Sequence, residues 1–266
     1  MPTRLYIIAI GGPTCSGKTT LAKHLARILP NSTSLFQDDF APPAEKVPIH
    51  PVYGVQDWDD PDGAIEWERQ RETLKYIREH DGEFPAAHYS HDSFNVQIPV
   101  PIEETTRRTW VDKFTRLQNK LEGEEGEGNG AVKYIIADGF LMLVDEESVR
   151  QFDVRIFVRE WYETLKKRRE ERNGYHTAVE SEPEGTLWTD PPGYWDQIVW
   201  PAYEKAHKKL FTNGDVNAGT IDSNVTSGIH LLEASESSMT QLVQQSCEAI
   251  YEMVKAGRTA KDWEKP

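Results

Sequence analysis

A glycine-rich segment near the beginning of the chain has the residue types and spacing of a phosphate-binding loop. Residues 12–19 read Gly-Pro-Thr-Cys-Ser-Gly-Lys-Thr, which fits the pattern G-x-x-x-x-G-K-[ST]. The glycines let successive backbone N–H groups point inward at an anion, and the dipole of a following helix adds positive charge there. Lys18 can reach the β- and γ-phosphates of a nucleotide, and the Thr19 hydroxyl can ligate Mg²⁺. We therefore expect ATP to be bound by Gly12, Pro13, Thr14, Cys15, Ser16, Gly17, Lys18, Thr19 and Thr20.

The sequence on either side of this loop favours the phosphate-binding interpretation over a chance match on a glycine-rich turn. Residues 5–10 form an apolar, β-branched run that is typical of a buried parallel strand. Residues 17–29 carry apolar side chains at helical spacing, and Pro30 follows them. A strand, a loop and a helix in this order are the context that the motif needs. Since the pattern differs from G-x-G-x-x-G, NAD is not the expected cofactor.

Aspartates follow two further predicted strands. Asp38 and Asp39 come after the short strand 34–36, and Asp138 ends the apolar strand 134–137. Ligands of open α/β sheets bind beyond the carboxyl ends of the strands. A carboxylate at Asp38 can therefore take a proton from a hydroxyl nucleophile, and one at Asp138 can position Mg²⁺. The alternatives left open are a turn or helix-capping role for Asp38, and a strand-ending residue without a chemical role for Asp138.

The densest group of basic residues follows another predicted strand, 154–158. Arg168 and Arg172 are four residues apart and share one face of the predicted helix 161–173. Arginine is the usual side chain that stabilises the charge of a transferring phosphoryl group. The alternative is a solvated helix face that pairs with neighbouring glutamates. The acidic segment 176–189 that follows is predicted to be a loop that closes as a lid.

Strands and helices alternate along the chain, which predicts an α/β domain with a mostly parallel sheet. Because the sequence contains no internal repeat and no clean linker, we expect a single domain over residues 1–266 with insertions at about 84–130 and 176–189. The remaining predictions are helices at 62–79, 103–121, 193–210 and 238–256, a strand at 228–232, and loops at 41–51, 84–101 and 122–130.

Charge and composition exclude several classes of function. The chain has 266 residues and a formal net charge of -14, from 44 acidic and 30 basic residues. This balance argues against a general binder of nucleic acids or anionic membranes. Two cysteines, Cys15 and Cys247, give no disulfide framework, and the apolar run 5–10 is too short to cross a bilayer. We expect a monomer or weak homo-oligomer in the cytoplasm, with the nucleus as a second candidate compartment.

Several stretches together resemble the nicotinamide riboside kinase family, a branch of the P-loop nucleoside and nucleotide kinases. The narrowest pattern is D-x-P-G-Y-[FW]-D-x-x-V-W-P-x-Y at residues 190–203. The phosphate loop with Leu-Ala-Lys at 21–23, Gln-Asp-Asp-Phe at 37–40 and Asp-Gly-Phe-Leu at 138–141 also match. The resemblance covers about residues 5–40, 56–66, 134–145, 154–175 and 190–210. It implies a P-loop NTPase fold with a five-stranded parallel sheet flanked by helices, similar to nucleoside monophosphate kinases and carrying a lid.

The resemblance also implies an activity and roles for individual residues. The activity is ATP-dependent phosphorylation of the 5′-hydroxyl of nicotinamide riboside, and of nicotinic acid riboside, to the mononucleotide in NAD salvage, with Mg²⁺. Asp38 matches a general base beside the ribose hydroxyl. Asp59 matches a family aspartate that holds the ribose hydroxyls. Its neighbour Trp58 matches a family aromatic residue that packs on the substrate. The resemblance implies that the catalytic residues are Asp38, Lys18 and Arg168. It also implies that Arg168 and Arg172 face ATP and that Thr19 and Asp138 position the metal. The implied substrate contacts are Asp38, Phe40, Trp58, Asp59, Arg169, Tyr175 and Asp190.

The chemistry of that substrate agrees with the residues that match. Nicotinamide riboside carries a positive pyridinium ring, which aromatic faces attract. The aromatic rings of Trp58 and Tyr175 can bind this pyridinium ring, and Tyr175 matches the family's aromatic residue that lies over the nicotinamide. Asp38 and Asp59 add negative charge near the positive ring. One departure is Asp138, where the family has Glu; the shorter side chain favours contact with Mg²⁺ through water.

Two other functions remain open from the sequence. The first is a kinase for uridine or another neutral nucleoside, which has little use for a pocket that attracts a cation. The second is a P-loop nucleotide-binding regulator without phosphotransfer, in which the insertions serve as a docking surface. Asp38 and Asp59 are unnecessary for that second role.

Overall fold

A parallel sheet forms the centre of the computed structural model, which describes residues 3–90, 98–123, 131–172, 174–179 and 182–263. Five strands lie in the order β2–β3–β1–β4–β7, and all neighbouring strands are parallel. The two other strands, β5 and β6, form a separate antiparallel pair. Within the described residues the strands are β1 (Arg4–Gly11), β2 (Ser32–Phe36), β3 (Val132–Asp138), β4 (Val154–Arg159), β5 (Tyr175–Val179), β6 (Glu182–Trp188) and β7 (Ile229–Glu233).

Helices cover both faces of the large sheet. The side chains of α1, α3 and α7 join the hydrophobic core on one face, and those of α2 and α6 join the core on the other. The helices of the described residues are α1 (Lys18–Ile28), α2 (Trp67–Glu79), α3 (Glu104–Glu122), α4 (Glu146–Val149), α5 (Tyr162–Glu170), α6 (Trp200–His207) and α7 (Met239–Lys255). The predicted P-loop fold, with five parallel strands flanked by helices, is confirmed.

The strand β1 explains why both faces need a cover. Tyr6, Ile8 and Ile10 belong to one hydrophobic core, and Ile7 and Ala9 belong to the other. Successive side chains of a strand point to opposite faces, so a continuous apolar run produces a strand that is buried on both sides. Such a strand is stable only in the middle of a sheet that carries helices on each face.

Two predicted helices have different bounds from those expected. The helix predicted at 62–79 begins at Trp67, because the residues before it form turns around Asp60: its carboxylate accepts the N–H of Asp62 at 2.8 Å, and its carbonyl oxygen accepts the N–H of Gly63 at 3.1 Å. The helix predicted at 193–210 is a π-helical turn over Trp195–Val199, then α6, then a 3₁₀ turn over Lys208–Leu210. The predictions at 103–121, 161–173, 228–232 and 238–256 are confirmed as α3, α5, β7 and α7, with ends shifted by three residues or fewer.

The prediction of a loop at 176–189 is wrong. Residues 175–188 contain the antiparallel pair β5–β6, which we call the lid hairpin, with Tyr175 opposite Trp188 and an irregularity between Thr177 and Val179. The acidic composition of this segment led to the prediction of a loop. Charged residues indicate that a segment is exposed to solvent, but an exposed segment can still form a β-hairpin. The strand β5 lies close to the turn Gln37–Phe40 that follows β2. The hairpin therefore lies over the carboxyl end of the sheet.

Some predictions fall on residues outside the described ranges. Residues 124–130 of the predicted acidic loop and residues 91–97 of the predicted loop at 84–101 are among them. The organisation as a single domain with two insertions stays a prediction. In the part of the chain that the structure describes, none of the helices combines the length and the hydrophobicity required to cross a membrane.

Candidate active site

The phosphate loop, residues 12–19, connects β1 to α1 through a series of unusual backbone conformations. Gly12, Cys15 and Gly17 have φ angles of 131°, 62° and 95°. A Cβ atom at Gly12 would lie 2.2 Å from the carbonyl oxygen of Val158 in β4, so only glycine fits there. Lys18 is buried and its Nζ donates to the carbonyl oxygen of Pro13 at 2.7 Å. The sequence thus folds into a curled loop with a cation at its centre.

We predict that Gly12→Ala destabilises the protein far more than a second substitution of the same type. Gly54 also has a positive φ, of 68°, but a Cβ atom there meets nothing within 4 Å. Gly54→Ala should cost only backbone strain, about 1 kcal/mol. Gly12→Ala adds a collision with β4, which brings the expected cost to about 2–6 kcal/mol. Urea unfolding of both variants measures the difference; equal losses would contradict the steric account.

Three acidic and basic groups meet at the carboxyl ends of β1, β2 and β3. The parallel register pairs Asp138 with Ile10 of β1 and with Phe36 of β2, which places its carboxylate beside the phosphate loop. Burial lowers the pKa of Lys18, and the negative charges of Asp138 and then Asp38 oppose that shift. Lys18 therefore lies within electrostatic reach of both aspartates that the sequence singled out.

Asp38 is exposed on a 3₁₀ turn that a buried glutamine holds in place. The Gln37 side chain donates to Gln70 at 2.9 Å and accepts the N–H of Leu141 at 2.8 Å. These bonds tie the turn to α2 and to the segment after β3. An exposed carboxylate on a fixed turn is suited to meet a substrate hydroxyl.

Arg169 joins the phosphate loop to two aspartates. Its guanidinium donates to both carboxylate oxygens of Asp190, at 2.6 and 3.0 Å, and to the Thr14 hydroxyl at 3.2 Å. The same group lies 3.7 Å from Asp59. Arg169 is 7% exposed. Thr14 and Asp59 also line one small cavity, so loop and carboxylates belong to a single site.

The two other arginines of α5 and its end also lie at the phosphate loop. Arg168 donates to the carbonyl oxygen of Cys15 at 3.1 Å, and the buried Glu160 lies 3.3 Å from its guanidinium. Arg172 places its guanidinium 3.8 Å from the ring centroid of Tyr175. Arg172 also lowers the pKa of Lys18, which puts it within electrostatic reach of that amine. Arg169 is buried, so it does not belong to a solvated helix face. Arg168 is exposed, and its role toward ATP stays a prediction.

Three aromatic side chains, those of Trp58, Trp188 and Tyr194, lie together near Asp59 and Asp190. The rings of Trp58 and Trp188 have centroids 5.8 Å apart and an interplanar angle of 53°, an arrangement that we call the tryptophan corner. The indole N–H of Trp188 donates to Asp190 at 2.8 Å. The Tyr194 hydroxyl accepts the backbone N–H of Trp58 and donates to the carbonyl of Gln56, each at 3.0 Å.

Asp59 lies in an environment that holds its proton unusually well. Burial raises its pKa, and the charge of Arg169 lowers it in part, while Asp190 and Asp57 raise it again, to about 6. An aspartate in water has a pKa near 4. Such a shift is frequent among residues that bind ligands or react.

One predicted contact is wrong and two residues were missed. Phe40 was expected to touch the substrate, but its side chain is completely buried in the core beneath the site, against Arg69. Trp188 was missed because it lay in the predicted loop. Glu160 was missed because it follows β4 as one glutamate among many; a charged residue at the carboxyl end of a buried strand was the signal.

No family model matches the chain. The chain is 31% identical over 252 residues to nicotinamide riboside kinase from Schizosaccharomyces pombe, covering 94% of this chain and 98% of the relative. It is 30% identical over 253 residues to nicotinamide riboside kinase from Saccharomyces cerevisiae, covering 95% and 98%. Human nicotinamide riboside kinase 2 is 27% identical over 208 residues, covering 78% and 70%.

Among solved structures, thymidylate kinase from Candida albicans aligns over 95% of this chain and 93% of its own, with a TM-score of 0.40 and 13% identity. A structural similarity this low does not identify the family. The family follows from the two sequence matches that cover nearly the full length of both chains. With its phosphate loop, its parallel sheet and these relatives, the chain belongs to the nicotinamide riboside kinase family.

Proposed function

We propose that this chain transfers the γ-phosphoryl group of ATP to the 5′-hydroxyl of nicotinamide riboside, giving nicotinamide mononucleotide in NAD salvage. Nicotinic acid riboside is the second substrate that we propose. The observation that carries the proposal is the position of Arg169, which joins Thr14 of the phosphate loop to Asp59 and Asp190. A nucleoside held by the carboxylates thereby has its acceptor hydroxyl directed at the phosphate loop.

The basic side of the site would bind ATP. The phosphate loop supplies backbone N–H groups and the positive end of α1, and Lys18, Arg168 and Arg172 add cations around it. The Ser16 hydroxyl of this loop is buried and makes no hydrogen bond within the described residues, so a phosphate oxygen would satisfy it. Because phosphoryl transition states are loose, positioning and charge neutralisation supply most of the rate enhancement.

The donor set beside Lys18 fits Mg²⁺. This ion keeps several of its waters and binds proteins through one or two oxygen ligands together with substrate phosphates. Thr19, in the first turn of α1, and Asp138, at the end of β3, supply such oxygens. When bound, Mg²⁺ neutralises charge on the β- and γ-phosphate oxygens.

The acidic side of the site would hold the nucleoside. The Asp59 carboxylate can accept both hydroxyls of a ribose diol, and Arg169 and Asp190 fix its surroundings. Asp38 would orient the 5′-hydroxyl and accept its proton as the phosphoryl group is transferred. The negative charges of Asp38 and Asp59 also attract a cationic nucleoside.

The raised pKa of Asp59 predicts that nicotinamide riboside binds more weakly in acid. The ionised carboxylate accepts hydroxyl protons and attracts the cation, and protonation below pH about 6 removes both effects. We expect the dissociation constant, measured by calorimetry without ATP, to rise about tenfold per pH unit below that value. Asp59→Asn should bind weakly with little dependence on pH. An equal acid dependence in this variant would assign the titration to another group.

A direct assay tests the proposed function. The purified protein, ATP, Mg²⁺ and nicotinamide riboside should yield nicotinamide mononucleotide, identified by mass. Lys18→Met serves as the inactive control, because it removes the cation at the centre of the phosphate loop. Phosphorylation of uridine alone would support the neutral-nucleoside kinase. ATP binding with no phosphorylated product from any nucleoside would support the regulator instead.

A further inference from the structure

We propose that Glu160, the residue that follows β4, is a positioning residue that holds Arg168 at the phosphate loop for phosphoryl transfer. Arg168 supplies positive charge to the transferring phosphoryl group, and Glu160 fixes the direction of its guanidinium. This inference rests on the proposed function, because Glu160 acts on that reaction through Arg168.

The Glu160 carboxylate is buried at the carboxyl end of the sheet, where a charged group requires a partner. The residue is 6% exposed, whereas glutamates are rarely buried unless they are paired. One carboxylate oxygen accepts the backbone N–H of Trp161 at 2.9 Å. The other oxygen lies 3.3 Å from Nη2 of Arg168. One oxygen is therefore fixed to the backbone, and the other is directed at the arginine.

The end of β4 is packed directly against the phosphate loop. The register of β1 and β4 places Gly11 opposite Phe157. The next residues also approach closely, since a Cβ atom at Gly12 would lie 2.2 Å from the carbonyl oxygen of Val158. Glu160 follows this contact by two residues. A carboxylate at this position is thus held at a defined place relative to the loop.

Arg168 needs such a contact because its side chain is long and 47% exposed. An exposed arginine samples many rotamers, and most of them direct the guanidinium away from any one anion. Here Nη1 donates to the carbonyl oxygen of Cys15 at 3.1 Å, and Nη2 faces Glu160. A guanidinium has five N–H donors, so these two contacts leave others that can reach phosphate oxygens.

Other cations near the end of β4 pair with different carboxylates. Arg159, directly before Glu160, donates to Glu233 of β7 at 2.9 Å. The Lys166 amine in α5 lies 2.7 Å from Asp196. These pairs keep both cations away from Glu160, whose ion pair is with the arginine at the loop.

A double-mutant cycle on turnover tests the inference. Glu160→Gln keeps the shape of the side chain and an acceptor for the N–H of Trp161 but removes the charge. It should lower kcat about tenfold, through a displaced Arg168, and leave the KM for nicotinamide riboside within about threefold. Arg168→Met should lower kcat about 10³-fold. The variant with both substitutions should stay within about threefold of Arg168→Met, since Glu160 then has no arginine to position.

Thermal unfolding of the same variants gives a second measurement. Arg168→Met leaves a buried carboxylate without its cation, so adding Glu160→Gln should raise the Tm of that variant. Glu163→Gln is the matched control, because Glu163 is exposed in the first turn of α5 and should keep the wild-type kcat and Tm.

The inference is overturned if Glu160→Gln keeps the wild-type kcat, if its effect falls on the KM for nicotinamide riboside instead, or if it lowers kcat by the same factor with and without Arg168. Wild-type protein that phosphorylates nicotinamide riboside and gives one of these results overturns the inference alone. Wild-type protein that does not phosphorylate nicotinamide riboside overturns the proposed function and the inference with it.

Discussion

Replacing Asp38 by Asn is expected to lower kcat by about 10²–10⁴-fold, the range for loss of a general base. ATP binding should change by less than about threefold, since the phosphate loop, Lys18 and the arginines remain. The substitution also leaves the fold intact, because Asp38 is exposed and its turn is held by Gln37. Steady-state kinetics with nicotinamide riboside, together with calorimetric titration of ATP, measure the two effects separately.

The control for this variant is a carboxylate on the same surface that lies outside the site. Glu45 is exposed on the 3₁₀ turn Ala44–Lys46, and Glu45→Gln should keep wild-type turnover. It removes one negative charge, as Asp38→Asn does. If Asp38→Asn turned over at the wild-type rate, Asp38 would not be the base, and the alternative of a turn aspartate would hold.

Replacing Arg169 by Met should strongly destabilise the protein. The change leaves Asp59 and Asp190 beside each other without their cation, and breaking a buried pair costs about 3–5 kcal/mol. For a chain of this length each kcal/mol lowers the Tm by about 2–4 °C, so we expect a decrease of about 6–20 °C. Calorimetry measures this decrease, and turnover should be lost as well.

Two further variants separate the loss of the buried ion pair at Arg169 from the loss of any positive charge on this helix. Lys167→Met changes an exposed cation of the same helix and should alter stability by less than about 0.5 kcal/mol. Arg169→Lys keeps the charge but loses the fork that holds both oxygens of Asp190, so it should recover stability only in part. A Tm for Arg169→Met within about 2 °C of wild type would show that the carboxylates do not depend on Arg169.

The sequence was sufficient for the sheet and the phosphate loop because each depends on local pattern. An apolar run such as residues 5–10 can be buried on both sides only inside a covered parallel sheet, and β1 occupies that place. Only glycine fits at position 12, because a Cβ atom there would collide with β4. The sequence motif of the phosphate loop already places a glycine at this position. Asp38 and Asp138 followed from the rule that ligands bind beyond the carboxyl ends of strands.

The rest of the site depends on contacts between distant segments, which local pattern does not contain. The neighbours of Tyr175 include Thr14 and Arg172, and the placement of the ring follows from how the lid hairpin meets the phosphate loop. Phe40 matched a family position, but only the packing of the core shows that its ring is buried. The raised pKa of Asp59 likewise arises from burial and from Asp190, far along the chain.

A competition assay tests the central claim most directly, namely that the site selects a cationic nucleoside for phosphorylation. Nicotinamide riboside and uridine at equal concentration are mixed with the protein, Mg²⁺ and limiting ATP, and the two mononucleotides are quantified by mass. The ratio of the products equals the ratio of the kcat/KM values. We predict an excess of nicotinamide mononucleotide of at least about tenfold, the value of one cation–π contact beside a carboxylate. Equal amounts, or an excess of uridine monophosphate, would contradict the account.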